Sequence, residues 1–307
     1  MRKTIRMVLI AAAILSLAGC GTETVSQAIG QRDEPGTEHV TTDGTEVSES
    51  MEAITGETEE EGVDKKDMNL AVSGYFPVDS RTDAQTNKDE EQIVMNASYQ
   101  YYWLSGTPKD GSAEVVAAIN DAIRTNLTQV EEQAAEQRAA AWKAYEHYVN
   151  YEEKPEDKKN SFRSYTLKYQ CKLLRNDEAV LSMCYRMDTF TQGEHGEYSY
   201  HCMNFDAQTG ELLTWSSISE DVEAFSQVIW NQVAELSEKK EYQKLFFEDG
   251  SGDLAAAVKK EDAWALTPKG MEIVADPYVL GPYSSGAIVF PIAYDSLTGI
   301  KESYIYK

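Results

Sequence analysis

Residues 179–215 read AVLSMCYRMDTFTQGEHGEYSYHCMNFDAQTGELLTW, and their pattern decides the fold class. Apolar and polar residues alternate through Ala179–Phe190. The alternation breaks at Gln192-Gly193-Glu194-His195-Gly196, resumes, and breaks again at Asp206-Ala207-Gln208-Thr209-Gly210. Period two is the signature of a strand with one buried face, and glycine-rich interruptions mark hairpin loops. The stretch therefore predicts the centre of an antiparallel sheet, and it holds nothing that looks like an active site.

Working outward towards the N-terminus, Asn176-Asp177 is a hairpin-turn pair. It joins this stretch to an alternating strand, Phe162–Leu174, with Tyr165, Leu167, Tyr169, Cys171 and Leu173 on one face. Glu152–Asn160 is a charged break. Before it lies a long helical pattern, with Ser112 placed to cap its start. Val116, Ile119, Ile123, Leu127 and Val130 form its apolar stripe, which Trp142, Tyr145 and Val149 continue. Ile93–Leu104 and Leu70–Val78 read as further strands, and Arg81–Glu91 as a polar loop. Towards the C-terminus, Ser219 is placed to cap a second helix carrying Val222, Phe225, Ile229, Val233 and Leu236. Glu241–Phe247 is a short helix candidate. Trp264–Ala275, a loop Asp276–Gly286 and a last strand Ala287–Tyr294 complete the chain. Strands and helices come in blocks without βαβ alternation, so the expected class is α+β, an antiparallel sheet packed by two or more amphipathic helices. The folded part divides into an N-terminal half, 68–205, and a C-terminal half, 206–307.

The first residues carry an address. Arg2, Lys3 and Arg6 precede the apolar run Met7–Leu17, which is about half the ~20 residues of a membrane-spanning helix and has the order of a signal peptide. Leu17-Ala18-Gly19-Cys20 resembles the lipobox of bacterial lipoproteins. That resemblance implies a signal peptide over 1–19 and lipid on Cys20, anchoring the protein at the outer face of the cell membrane. Residues 20–67 are Thr-, Gly- and Glu-rich without apolar period and read as a disordered acidic tether. At 5–6 Å × √n it spans roughly 40 Å. The chain has net charge −24. Loss of the signal removes three positive charges, and of the resulting −27 the segment 68–307 carries −16. Such a balance disfavours nucleic acid and favours a cationic protein or peptide.

Chemistry-bearing residues are few. After Cys20 only Cys171, Cys184 and Cys202 remain, without CxxC spacing. Closure of the hairpin at Gly193-Glu194 sets Cys184 nearly opposite Cys202, and Cys171 on the preceding strand lands near Cys184 as well. More than one pairing is therefore open. His39, His147, His195 and His201 fit no ligand spacing, so no metal and no cofactor are expected. Nucleophile elbows, Ser-x-x-Lys, His-Glu-x-x-His and P-loops are lacking, and a binding role is favoured over an enzymatic one.

Two loops stand out, Gln192–Gly196 and Asp276–Gly286 (DPYVLGPYSSG). Proline and glycine shape the second, and tyrosine offers large contact area at little entropy cost. Leu181-Ser182, Gly193-Glu194-His195-Gly196, Asn204-Phe205-Asp206-x-x-Thr209-Gly210-Glu211, Leu266-Thr267-x-x-Gly270-Met271 and Pro277-Tyr278-x-x-Gly281-Pro282-Tyr283-x-x-Gly286 occur in order. Together they resemble the extracytoplasmic module of RsiV-type anti-sigma factors, found also ahead of the catalytic domain of PdaC-type peptidoglycan deacetylases. The resemblance implies a non-catalytic α+β domain and, in the anti-sigma branch, a receptor for lysozyme. In this chain acidic Glu194 stands where the family usually has alanine. The expected partner is thus a cationic protein such as lysozyme, or else cell-wall glycan. Pro282, Tyr283, Tyr278, His195 and Glu194 are the candidate contact residues.

Overall fold

In a computed structural model, which describes residues 74–90, 92–151 and 162–307, the alternating stretch folds as two paired strands. β1 spans Val78–Asp89, β2 Gln92–Leu104, β3 Tyr165–Asn176, β4 Val180–Phe190 and β5 Glu197–Asp206. They form a five-stranded sheet in sequence order. A second sheet comprises β6 (Trp264–Thr267), β7 (Gly270–Ala275) and β8 (Ile288–Ala293). The helices are α1 (Ala113–Tyr151), the single turn α2 (Trp215–Ile218), α3 (Val222–Ser237), the short α4 (Lys240–Gln243) and α5 (Leu254–Lys259). The class is α+β. The expected signal peptide, Cys20, the expected tether and the break 152–160 lie outside the described residues, as do residues 70–73 of the expected strand Leu70–Val78, of whose remainder only Val78 is in a strand. None of the described helices is long and apolar enough to cross a membrane.

The layers follow from strand parity. Odd-numbered residues of β4 and β5, among them Leu181, Met183, Tyr185, Met203 and Phe205, join Leu167 and Tyr169 of β3 beneath α1. Helix α1 begins where Ser112 Oγ accepts the Val115 N–H at 3.3 Å, and it buries Ile119, Ile123, Val130 and Ala134 against the sheet. Even-numbered Cys184, Tyr200 and Cys202 face the other way, onto Ala265 and Val274 of the small sheet. That sheet turns its second face, with Leu266, Met271, Ile273, Phe290 and Ile292, towards Phe225, Ile229 and Val233 of α3. Helix, sheet, sheet and helix are therefore stacked, and β4 and β7 have an apolar layer on each side.

Three buried asparagines lock the layers. Each satisfies both a backbone donor and a backbone acceptor, as buried polar groups require. Asn120 takes the N–H and C=O of Leu104, and Asn176 those of Phe76. Asn204 Oδ1 accepts from Leu266 N–H, and its Nδ2 donates to Trp264 O, both at 2.9 Å, which fastens the edge of β5 to β6. The Asp206 turn closes with Gly210 at φ +76°. A Cβ there would sit 3.0 Å from the Val115 carbonyl of α1, so only glycine lets the turn approach the helix this closely.

Several expectations are corrected. Arg81–Glu91 is not a loop, because residues 81–89 belong to β1, an exposed edge strand held by its backbone pairing to β2. Its polar residues on both faces hide it from a periodicity argument and suit an edge that must not recruit other strands. The sheet is not wholly antiparallel: β2 and β3 run parallel, since α1 carries the chain back across the sheet between them. Asp221, not Ser219, caps α3, accepting from the N–H groups of Glu223 and Ala224. Ser219 instead ends α2. The helix expected over Glu241–Phe247 is the single turn Lys240–Gln243. Val149 is exposed, and Tyr148 packs on Phe162 in its place.

Candidate functional site

The β4–β5 loop and the loop after β7 meet at one end of the molecule. In the first, Gln192 and Gly193 have positive φ, +74° and +98°. Arg163, just before β3, fastens this turn. Its guanidinium donates to Gly193 O and lies 4.3 Å over Phe190, while its carbonyl accepts from Gln192 Nε2. His195 is thereby held at the tip. Its Nδ1 is 2.8 Å from Gly196 O, so Nδ1 carries the proton in that contact, and Nε2 is left to accept from the Tyr278 hydroxyl at 3.1 Å.

The second loop is fixed at both ends. Asp276 accepts the Tyr200 N–H at 2.7 Å and pairs with Lys260 at 2.8 Å, while Lys260 donates to Tyr200 O at 2.6 Å. The two side chains thus occupy both outward backbone groups of Tyr200 on the edge of β5. Asp262 lies 3.6 Å from Lys260 and bonds His201 Nδ1 at 2.7 Å. Burial pushes the Asp262 carboxyl up, but the His201 bond and the Lys260 charge outweigh it, and the net shift is downward. Along the loop, Gly281 passes so near Leu245 that a Cβ would fall 1.9 Å from its carbonyl oxygen. Tyr283–Ser285 form a 3₁₀ turn that ends on Gly286 at φ +68°.

Between these anchors the rings assemble. His195 stacks on Tyr283 at 4.3 Å, and Tyr283 meets Tyr198 edge-on at 5.7 Å. Tyr278 lies 5.8 Å from Tyr283. Tyr278 is 50% exposed and adopts φ +68°, a conformation unusual for a residue with a Cβ. Beneath the rings, Arg186 lies 4.1 Å over Tyr198 and is paired with Asp188. The Tyr198 hydroxyl accepts the Ala287 N–H at 3.0 Å. Burial pushes this phenol up, against the opposing pull of that bond and of Arg186, so it stays protonated.

Of the candidate residues, the structure brings His195, Tyr278 and Tyr283 into mutual contact. Pro282 sets the N-terminal side of the Tyr283 turn, and Glu194 is exposed beside His195. Tyr198, Arg186 and Asp188 were missed by sequence reasoning. Strand parity held the signal, since Tyr198 and Arg186 share the face of Cys184 and lie next to the loop. His201 points to the opposite face, near Tyr185, so the two histidines do not converge. Among the described residues no group of three or more His, Cys, Asp or Glu is placed to hold a metal. His195 finds a phenol and a carbonyl as partners, which orders this surface.

A cleft of about 480 Å³ lies at the other end of β3 and β4, lined in part by Arg175, Asp177 and Tyr306. Arg175 is committed there to Asp177, to the Tyr294 hydroxyl and to Tyr304 O, so it locks the C-terminal segment to the sheet.

Residues 216–295 match the family described as Protein of unknown function (DUF3298). No curated protein matches the chain. A DUF3298 family protein of Pseudomonas aeruginosa PAO1 is similar over 76% of this chain and 97% of its own, at 16% identity and TM-score 0.49. A member of the same family from Bacteroides fragilis NCTC 9343 is similar over 76% of this chain and 96% of its own, at 16% identity and TM-score 0.52. The latter likeness shows a shared fold.

Proposed function

We propose that this protein is a lipid-anchored extracytoplasmic binding protein, not an enzyme, whose contact surface is the cluster of His195, Tyr278 and Tyr283 with Pro282 and Glu194 at its rim. Its partner in this reading is lysozyme or another cationic wall-active protein, and its role that of receptor, decoy or inhibitor. One observation carries the reading: an exposed tyrosine is held at positive φ in a ring stack whose two loops are both anchored. A rigid aromatic surface loses little entropy on binding, which is the character of an interface hot spot. The acidic balance of 68–307 supports a basic partner, because attraction raises encounter rates by roughly 10–1,000-fold at low salt. The RsiV-type motif order supports the choice of lysozyme. The near-parallel stack of His195 on Tyr283 favours a second reading, a platform for wall sugars.

The test is titration of the full chain in mild detergent with lysozyme and, separately, with soluble wall fragments, at low and high salt. Protein binding should weaken as the Debye length shortens from ~8 Å, whereas sugar stacking should hardly change. Tyr283→Ala should cost about 30-fold in affinity, through faster dissociation. Tyr278→Ala should act in the same direction while circular dichroism stays native. Absence of lysozyme binding at low micromolar concentration would remove the receptor reading. Address is tested separately, since lipid labelling should vanish in Cys20→Ala.

A further inference from the structure

The three buried cysteines are not equivalent. Cys171 lies beneath α1, with Tyr185 and Tyr169. Cys184 and Cys202 lie on the other face of the same sheet, between it and the small sheet. The expectation that Cys171 competes for Cys184 therefore fails on parity, because residues 171 and 184 point to opposite sides. Cys184 and Cys202 are direct partners in the antiparallel register of β4 and β5, with sulfurs 2.7 Å apart.

The hydrogen bonds identify which kind of partners they are. Cys202 N–H donates to Asp262 O at 2.8 Å, away from β4. Two residues to either side, Tyr200 N–H goes to Asp276 and Asn204 O accepts from Leu213, again away from β4. Residues 200, 202 and 204 thus turn their backbone polar groups outward. Cys184 and Cys202 form a non-hydrogen-bonded pair, the close type with Cα atoms about 4.5 Å apart. That spacing lies within the range of roughly 4.4–6.8 Å that a disulfide spans.

We infer that Cys184 and Cys202 are the sites of a cross-strand disulfide, which staples the hairpin arm presenting His195, Tyr198 and Arg186 to the contact surface. The reaction is exchange with an external disulfide. One cysteine thiolate attacks it and releases a thiol, and the second thiolate displaces the other thiol from the mixed disulfide. The protein loses two protons and two electrons, and the external disulfide takes them up to become two thiols. Burial pushes the Cys184 thiol well up, which makes it a poor nucleophile in the folded protein. The bond forms before the two sheets close and persists once they have. Cys171 remains a thiol.

The experiment refolds the full chain from urea with oxidised and reduced glutathione, then denatures and alkylates it without reductant. The expected product is lighter than the reduced chain by two hydrogen atoms, with one proteolytic fragment joining Cys184 to Cys202 and alkylation at Cys171. Reduction should lower the thermal midpoint by about 5–10 °C. A double variant, Cys184→Ala with Cys202→Ala, should keep the native circular dichroism and show no such shift. Alkylation of Cys184 and Cys202 after oxidative refolding, or a fragment joining either of them to Cys171, would overturn the assignment.

Discussion

The two faces of the five-stranded sheet are built on different principles. Under α1 the face is broad and apolar, with Ile119, Ile123, Leu167, Leu181 and Phe205 all buried, and polar contact there comes from Asn120 on the Leu104 backbone and Asn126 on the Tyr169 hydroxyl. On the opposite face burial is narrower, and polar devices join it to the small sheet: Asn204 on the backbone of β6, and Lys260 with Asp276 on the backbone of Tyr200. At the end of that face Arg186 and Tyr198 emerge from the layer and carry the ring cluster. The first face supplies cohesion, whereas the second places a surface. Non-directional burial cannot orient a loop, and hydrogen bonds can.

This contrast can be broken from either side. The largest loss is expected from Ile123→Ala, which leaves a cavity under α1. Denaturant unfolding should show about 2–5 kcal/mol of destabilisation, with the affinity of the remaining folded molecules unchanged. Asn204→Ala should cost somewhat less, roughly 2–3 kcal/mol, because it strands a donor of β6 and an acceptor beside it. In contrast to the first variant it should also loosen the ring cluster, visible as faster amide exchange at Tyr200 and Cys202.

A smaller effect is expected in acid. Asp262 has a carboxyl held below its ordinary value, so its contribution is present at neutral pH and above the unfolded value near ~3.9. It fades as pH falls through that value and is gone below the folded one. Wild type should therefore lose more stability than Asp262→Asn between neutral pH and strong acid, and equal losses would show that the His201–Asp262–Lys260 chain is idle. The smallest effect belongs to Tyr200→Phe. The Tyr200 hydroxyl is buried between the sheets with no hydrogen-bond partner among the described residues. Its removal should leave stability within about 1 kcal/mol of wild type or raise it, and a larger loss would reveal a partner for that hydroxyl.

Legibility in the sequence followed burial. β3 alternates because one side of its first half is packed more tightly, β4 is buried on both sides over Val180–Tyr185, and α1 shows its stripe because it lies on the sheet. β1 left no such trace: VDSRTDAQTNKD is exposed along nearly its whole length and is a strand only through its bonds to β2. Helix α5, LAAAVK, is too short for a period to declare itself. In the ring cluster the tyrosines and His195 were legible as loop residues of distinctive type. Their contact was not, because residues 195 and 278 are brought together by the anchors of Arg163 and Asp276, and neither anchor is a local pattern.

The sequence by itself determined the α+β class, the hairpin of 179–215 with its facing cysteines and the acidic charge. These are properties of period, composition and short-range turn chemistry, which neighbouring residues carry together. Only the tertiary structure decided the parallel pairing of β2 with β3, the second sheet laid over Cys184 and Cys202, and the stacking of His195 on Tyr283. Each of those depends on groups far apart in the chain, and distance along the chain erases any periodic trace of them until backbone hydrogen bonds and buried side chains bring them into contact.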